Sequence, residues 1–412
     1  MTDALEALSK GTRSTRGLTC PLGILVPWRL QAYGYTIAAI YAVLLAGLCK
    51  NGFWIADSRG FPVYSDFILP WIAGVQALNG DTALLYDPAE LVKLQEALVG
   101  PKDVYYPNWP YPPIFLLALI PFAMLPYVYA FVIWSIGTLT SFTGVVYLIV
   151  RRAPAIALVL ASPLTVWTLY AGQNAFLWGS LLGAALLLLE RRPLLAGVFI
   201  GCLTYKPQFG ILFPVALLAG GEWRAFGTAA VAGVFLVCAS IAAFGISAWE
   251  AFPNQLAAQN VEVLVTGGHG HWGYIQTVYG LIRALHGGAA VAWFAQGVTA
   301  MGVVIIVYLV WRSSVRYPLK AAALSAAALI ATPYAFATDL AAIAIPVAFL
   351  ASDQMRFGLV RGEQTIMIAA FVACFVILAT SGSTPLGPVL MIALLAIIVR
   401  RAFWSMRELA IP

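Results

Sequence analysis

The sequence predicts an all-α polytopic membrane protein, and three observations predict it. First, hydrophobic residues make up 62% of the 412-residue chain and charged residues only 10%, against roughly 25% charged in soluble domains. Second, charge-free stretches run 114–150, 153–189, 225–249, 284–311, 321–338 and 364–399. A membrane helix needs about 20 apolar residues, so several of these stretches hold two helices each. Third, the bases stand in short clusters between the apolar runs, as loop charge does in membrane proteins. The mean hydropathy of +0.88 agrees. A water-soluble enzyme, a disordered chain and a nucleic-acid binder are excluded, the last because the net charge of +6 is scattered and forms no phosphate-tracking patch.

Taken in order, residues 1–30 read as a polar cytoplasmic tail carrying Lys10, Arg13 and Arg16. The first apolar run, 31–49, shows no cleavage pattern and reads as an uncleaved span. Loop 50–110 then holds seven of the 17 acids, Asp57, Asp66, Asp81, Asp87, Glu90, Glu96 and Asp103, and is expected to carry short amphipathic helices. In 111–150 a half-helix from Pro113 to Pro126 precedes a full span from Tyr127 to Val150. Placing the basic clusters inside gives further spans at 153–170, 174–190, 193–206, 208–221, 223–246, 289–311, 319–335, 338–352, 364–381 and 384–401. The total is about 12, with both termini cytoplasmic. Loop 50–110, loop 247–288 and the joints at Gln173–Asn174, Tyr205–Gln208 and Thr332–Asp339 all fall outside. The polar oddities therefore gather on one face.

Each of these has two readings. Asp66, in VYSDF, is a desolvated carboxylate of raised pKa suited to accept a proton, or a cap on a helix starting near Ile68. Tyr111 belongs to YYPNWPYPP, with four prolines and four aromatics in nine residues. That segment is a rigid link with interfacial anchors, or a wall for a sugar or lipid chain. Gln173 and Asn174 cap a helix or bind sugar hydroxyls. Lys206 is the one charge in the 27 residues Leu194–Gly220, with Pro207 and Gln208 behind it. A lysine at that depth is costly and marks a functional site, with snorkelling to the interface as the other reading. Arg283 lies on an amphipathic stretch, as a second phosphate contact or a headgroup anchor. Asp339 faces a helix dipole or lines a cavity. His269 and His271 form an HxH in a glycine-rich loop with no third ligand nearby, so no metal is expected. The five cysteines show no metal spacing and read as apolar fillers.

Ser65–Asp66–Phe67, Ala77–Leu78–Asn79–Gly80, Leu85–Tyr86–Asp87–Pro88, Tyr111–Pro112–Pro113, Gly172–Gln173–Asn174, Lys206–Pro207–Gln208 and Pro333–Tyr334 with Asp339–Leu340 occur in this order over about residues 60–345. The series resembles glycosyltransferase family 87, polyprenyl-phosphate-dependent mannosyltransferases of the GT-C fold. Two departures touch the acceptor: Ala335–Phe336–Ala337, where relatives often show His or a further aromatic, and the loop GGHGHWGY.

The resemblance implies transfer of a hexose, usually mannose, from a polyprenyl monophosphate to an acceptor hydroxyl on a glycolipid or glycan. Transfer would take place at the outer face of the plasma membrane, inverting, without cofactor or metal, and with Asp66 as the catalytic residue. An acceptor hydroxyl needs a base within reach, and a phosphate leaving group needs cationic stabilisation. Lys206 and Arg283 are accordingly assigned to the donor phosphate. Tyr111, Gln173, Asn174, Gln208, His271 and Asp339 are assigned to sugar or acceptor. Residues 31–352 form the catalytic core on this reading, and 353–412 add C-terminal helices and a short tail. A secondary transporter shares the broken spans and the deep lysine, but no inverted repeat is evident. A pentose or glucose carrier would use the same features.

Overall fold

A computed structural model describes residues 27–99, 108–267, 272–360, 362–380 and 382–409. Regular structure among them is helical, with three isolated β-bridges. Seven helices are long and apolar enough to cross a bilayer: α1 (Pro27–Lys50), α5 (Tyr127–Val150), α11 (Trp223–Phe244), α14 (Ala289–Arg312), the run Asp339–Phe357 whose α-helical part is α16 (Ala344–Phe357), α17 (Glu363–Thr380) and α18 (Gly387–Leu409). An eighth crossing is formed if α6 (Ala153–Ala161) and α7 (Pro163–Ala171) count together, bent by 62° where Pro163 breaks the helix.

Against the expected dozen, seven or eight helices among the described residues are long and apolar enough to cross. The physical reason is length. The segments expected at 174–190, 193–206, 208–221 and 319–335 are α8 (Ala175–Leu188), α9 (Pro193–Cys202) with its 3₁₀ turn, α10 (Phe213–Gly220) and α15 (Tyr317–Ala331). At 1.5 Å per residue, 14 or 15 residues cover about 21 Å, short of the roughly 30 Å hydrocarbon core. The arms Pro193–Tyr205 and Pro207–Gly220 meet at Lys206. Neither arm is long enough to carry that turn clear of the membrane from the far side.

The loop after α1 carries α2 (Ile68–Asn79), a 3₁₀ turn at Thr82–Tyr86 and α3 (Pro88–Val99). α2 packs on α4 (Ile114–Ala123), the half-helix that precedes α5. α12 (Ser247–Asn260) and α13 (Val278–Ala284) fill the later loop. α15 is buried along nearly its whole length and packs on α14, α16 and α18. Its alanines permit that close approach, as small residues do between membrane helices.

In the last turns of α16 sits a buried ionic knot. Arg316 donates to both oxygens of Asp353 at 2.7 and 2.9 Å. Arg401 donates to Asp353 at 2.6 Å, to Glu363 at 2.8 Å and to the Gly358 carbonyl at 2.8 Å. Two cations thus face two anions, and α18 is tied to α16 and α17. These bonds tie the C-terminal helices to the core.

Candidate active site

The site begins at a turn. α7 ends at Gly172, which sits at φ 71°, a region open to glycine at little cost. A Cβ there would meet Phe67 at 2.7 Å and Phe131 at 2.8 Å, so the turn is clamped against the loop that bears Asp66. The Asp66 amide donates to Ala171 O at 2.9 Å. Gln173, next after the glycine, donates from Nε2 to Asp66 Oδ2 at 2.8 Å. Asp66 does not cap α2, whose N-terminus has no side-chain cap. Burial pushes the Asp66 carboxyl above the ordinary carboxylate range, and the Gln173 bond opposes this in part.

Asn174 likewise leaves its helix uncapped. Its Nδ2 donates to the Tyr111 hydroxyl at 2.7 Å, and its Oδ1 accepts from Lys206 Nζ at 3.0 Å. Lys206 also donates to Asp339 Oδ1 at 2.7 Å. Lys206 is 6% exposed and Asp339 2%, so the pair lies deep and snorkelling is ruled out. Asp339 Oδ1 accepts from Trp178 Nε1 at 3.0 Å, and Oδ2 accepts from the Phe336 amide at 3.1 Å. The result is a continuous chain from Tyr111 through Asn174 and Lys206 to Asp339. Gln173, adjacent in sequence to Asn174, extends it to Asp66.

Aromatic rings close the surroundings. Trp109 is fully buried and packs at 4.9 Å on Tyr111. Phe115 stacks on Tyr205 at 4.6 Å. The described part of the proline-rich segment is therefore an internal wall, and Tyr86 fixes it by donating to the Tyr111 carbonyl at 3.1 Å. Trp178 stacks on Phe209 at 3.8 Å and 3°, and Phe209 lies 5.2 Å beneath the Lys206 ammonium.

The structure thus brings together Asp66, Tyr111, Gln173, Asn174, Lys206 and Asp339. Gln208 is half-buried beside Lys206 without joining these bonds. Arg283 is engaged elsewhere: its guanidinium lies 4.5 Å over Trp272 and donates to Gly287 O at 3.4 Å. His271 lies outside the described residues. Lys206 was assigned to the donor phosphate from the sequence. In the structure its charge is matched by Asp339, as a bare ammonium at that depth would cost several kcal/mol. Trp178 was not singled out from the sequence, yet it stands four residues after Asn174, one helical turn along the same face.

Among the described residues, no group of three or more metal-ligating side chains is assembled. Neither a curated protein nor a solved structure matches the chain. The family model for glycosyltransferase family 87 matches residues 109–333, more than half the sequence. The match includes Tyr111, Gln173, Asn174, Lys206, Gln208 and Arg283, and it leaves Asp66 and Asp339 on either side. The chain belongs to glycosyltransferase family 87.

Proposed function

We propose that this protein transfers a hexose, mannose in the first instance, from a polyprenyl monophosphate to an acceptor hydroxyl at the outer membrane face. Family membership gives the reaction class and the lipid-linked donor. Sugar, sidedness, stereochemistry and residue roles are the proposal. The observation that carries it is Asp66. Its carboxylate has one side-chain partner among the described residues, Gln173 on Oδ2, which leaves Oδ1 for an incoming hydroxyl. A carboxylate raised above its ordinary range is a better match to a proton in flight.

Asp66 takes the acceptor proton as the hydroxyl attacks the anomeric carbon from the face opposite the phosphate, inverting it. Charge grows on the departing phosphate oxygen, where preorganised donors help most. Lys206 offers its third N–H there, held in place by Asn174 and Asp339. Arg283 is the second cation on this side; its Nε is buried and has no hydrogen-bond partner among the described residues. Tyr111, Gln173 and Gln208 border the sugar. The basic clusters at Arg151–Arg152, Arg191–Arg192 and Arg312–Arg316 support a cytoplasmic opposite face, and with it the plasma membrane as location.

The test is sugar transfer by purified protein in lipid, with polyprenyl-phosphate mannose, glucose and pentose donors and a membrane lipid extract as acceptor. Wild type is expected to transfer from the mannose donor. Asp66→Asn is expected to bind donor and lose about 10²–10⁴-fold in turnover, the range for removal of a general base. Equal turnover of the two proteins would refute the role of Asp66. Transfer from a pentose or glucose donor alone would refute mannose.

A further inference from the structure

We propose that the Tyr111 hydroxyl is a second hydrogen-bond donor to the phosphate of the lipid-linked sugar, working with Lys206 through the amide of Asn174. The inference deepens the proposed function and rests on Lys206 serving that phosphate.

The direction of the hydrogen bonds carries it. An ammonium has only donors, so the Asn174 atom that meets Lys206 Nζ at 3.0 Å must be the carbonyl oxygen. The amide orientation, ambiguous for many asparagines, is thereby fixed. The other arm of the same amide is then the NH₂ group, and it meets the Tyr111 hydroxyl at 2.7 Å. An amide NH₂ does not accept, so the Tyr111 oxygen accepts there and its own proton points elsewhere. Both bonds between Lys206 and Tyr111 thus run one way, away from the cation. The carboxylates of Asp66 and Asp339 act on the hydroxyl through space only, and its one side-chain hydrogen bond among the described residues is to Asn174. An O–H left without an acceptor away from water is costly, and a chain that begins at a cation polarises its last donor. The acceptor that gains most from such a donor is an anion.

The place fits a phosphate. Lys206 and Tyr111 sit on the two arms of one amide, so their donor atoms are at most about 8 Å apart by bond lengths. One phosphate spans that gap through two of its oxygens. Lys206, Asp339 and Asp66 all act on the Tyr111 hydroxyl, so it lies within reach of both the proposed base and the proposed cation. Its ring is held on Trp109 and Phe115, each at 4.9 Å, and its carbonyl takes the Tyr86 hydroxyl. The donor is therefore in place before substrate arrives. Burial holds the Tyr111 pKa above the ordinary tyrosine range, against the opposing Lys206 charge, so the hydroxyl keeps its proton. A sugar hydroxyl is the competing acceptor, and being uncharged it gains less.

In the transfer step the bond from the anomeric carbon to the phosphate oxygen breaks, and its electron pair stays on that oxygen. The acceptor oxygen bonds to the anomeric carbon and its proton passes to Asp66. The Tyr111 proton stays on Tyr111, and its hydrogen bond strengthens as charge grows on the phosphate.

The experiment titrates polyprenyl monophosphate, which carries no sugar, and the uncharged polyprenol into the full chain in nanodiscs. Wild type is expected to bind the phosphate more tightly than the alcohol. Tyr111→Phe keeps the ring and should lose about tenfold in phosphate affinity, as for a hydrogen bond to a charged group. Its polyprenol affinity and Tm should stay at wild-type values. In wild type labelled at tyrosine Cζ, one resonance should move with polyprenyl monophosphate and not with polyprenol, a readout that needs no variant to fold. Wild type that does not distinguish phosphate from alcohol sinks the phosphate seat as a whole, Lys206 included. If wild type distinguishes them and Tyr111→Phe does so equally, or if no Cζ resonance responds to the phosphate, the role of Tyr111 alone is overturned. Neither result touches Asp66 or the identity of the sugar, because the probe has none.

Discussion

Two ionic clusters lie at opposite ends of the helix Asp339–Phe357, about 21 Å apart at 1.5 Å per residue. The knot at Asp353 sets two guanidinium groups against two carboxylates, with the bidentate geometry that arginine favours. The cluster at Asp339 sets one ammonium against one carboxylate, and a second carboxylate, Asp66, is left to an amide. Charge balance is therefore complete at one end and short by one cation at the other. A closed network rigidifies. An open one has a carboxylate left to take a proton. The same residue types serve architecture at one end and chemistry at the other, and the difference is one unmatched carboxylate.

Substitutions can break this contrast. The largest effect is expected for Lys206→Met, which strands Asp339 as a buried anion. Removing one partner of a buried pair costs about 3–5 kcal/mol, so both thermal stability and transfer should collapse. Lys206→Met with Asp339→Leu removes both charges and should recover most of the stability without recovering transfer. Recovery of both in the double variant, read by Tm and by product formation, would make this cluster as architectural as the other. Next comes Arg401→Met, which unpairs Glu363 and halves the support of Asp353. A comparable loss of about 3–5 kcal/mol is expected in Tm, while donor KM in the surviving folded fraction stays unchanged. A specific rise in donor KM would mean that the two ends are coupled.

The smallest effect sharpens the comparison by pH. Asp66 has a raised pKa from burial, and the Gln173 bond pulls it down in part. A base works only when deprotonated, so kcat/KM should fall as pH drops through that raised value. Gln173→Leu removes the lowering influence, and the acid limb should move to higher pH. A limb that stays in place, or moves down, would show that Gln173 does not tune the carboxyl. The sign for stability is opposite to the usual acid. A folded pKa above the unfolded one means that ionisation opposes folding, so this cost appears as pH rises past the unfolded value. Asp66→Asn should therefore be no less stable than wild type at neutral pH.

Much of the site was legible in the chain, and for physical reasons. Asp66, Lys206 and Asp339 are ionisable groups in apolar surroundings, and such groups must find partners. Gly172–Gln173–Asn174 interrupts an apolar run, so its amides had to bond to something other than solvent. What sequence could not give was pairing. Nothing in the 132 residues between Lys206 and Asp339 says that they touch. Their meeting fixes two of the Lys206 N–H groups, on Asn174 and Asp339, which the sequence around Lys206 alone did not show. Trp178 was hidden because a tryptophan in an apolar helix reads as packing until its N–H is traced to an acceptor. The span count departs from the long helices on length: charge-free sequence marks burial, and burial inside a bundle of short broken helices looks the same as burial in lipid.

Gln276 is fully buried, accepts from the Gly387 amide through Oε1 at 2.8 Å and donates through its backbone N–H to Ala335 O at 2.8 Å. Through it the last helix props the strand of chain that leads into Asp339. During synthesis, Asp66, Lys206 and Asp339 are all made before Gly387 or Arg401 exists. Until the final helix enters the bilayer, Asp353 lacks one of its two cations, Glu363 lacks its cation, and the approach to Asp339 lacks its prop. A chain halted near residue 380 would carry every proposed chemical group yet lack the brace that holds them in register.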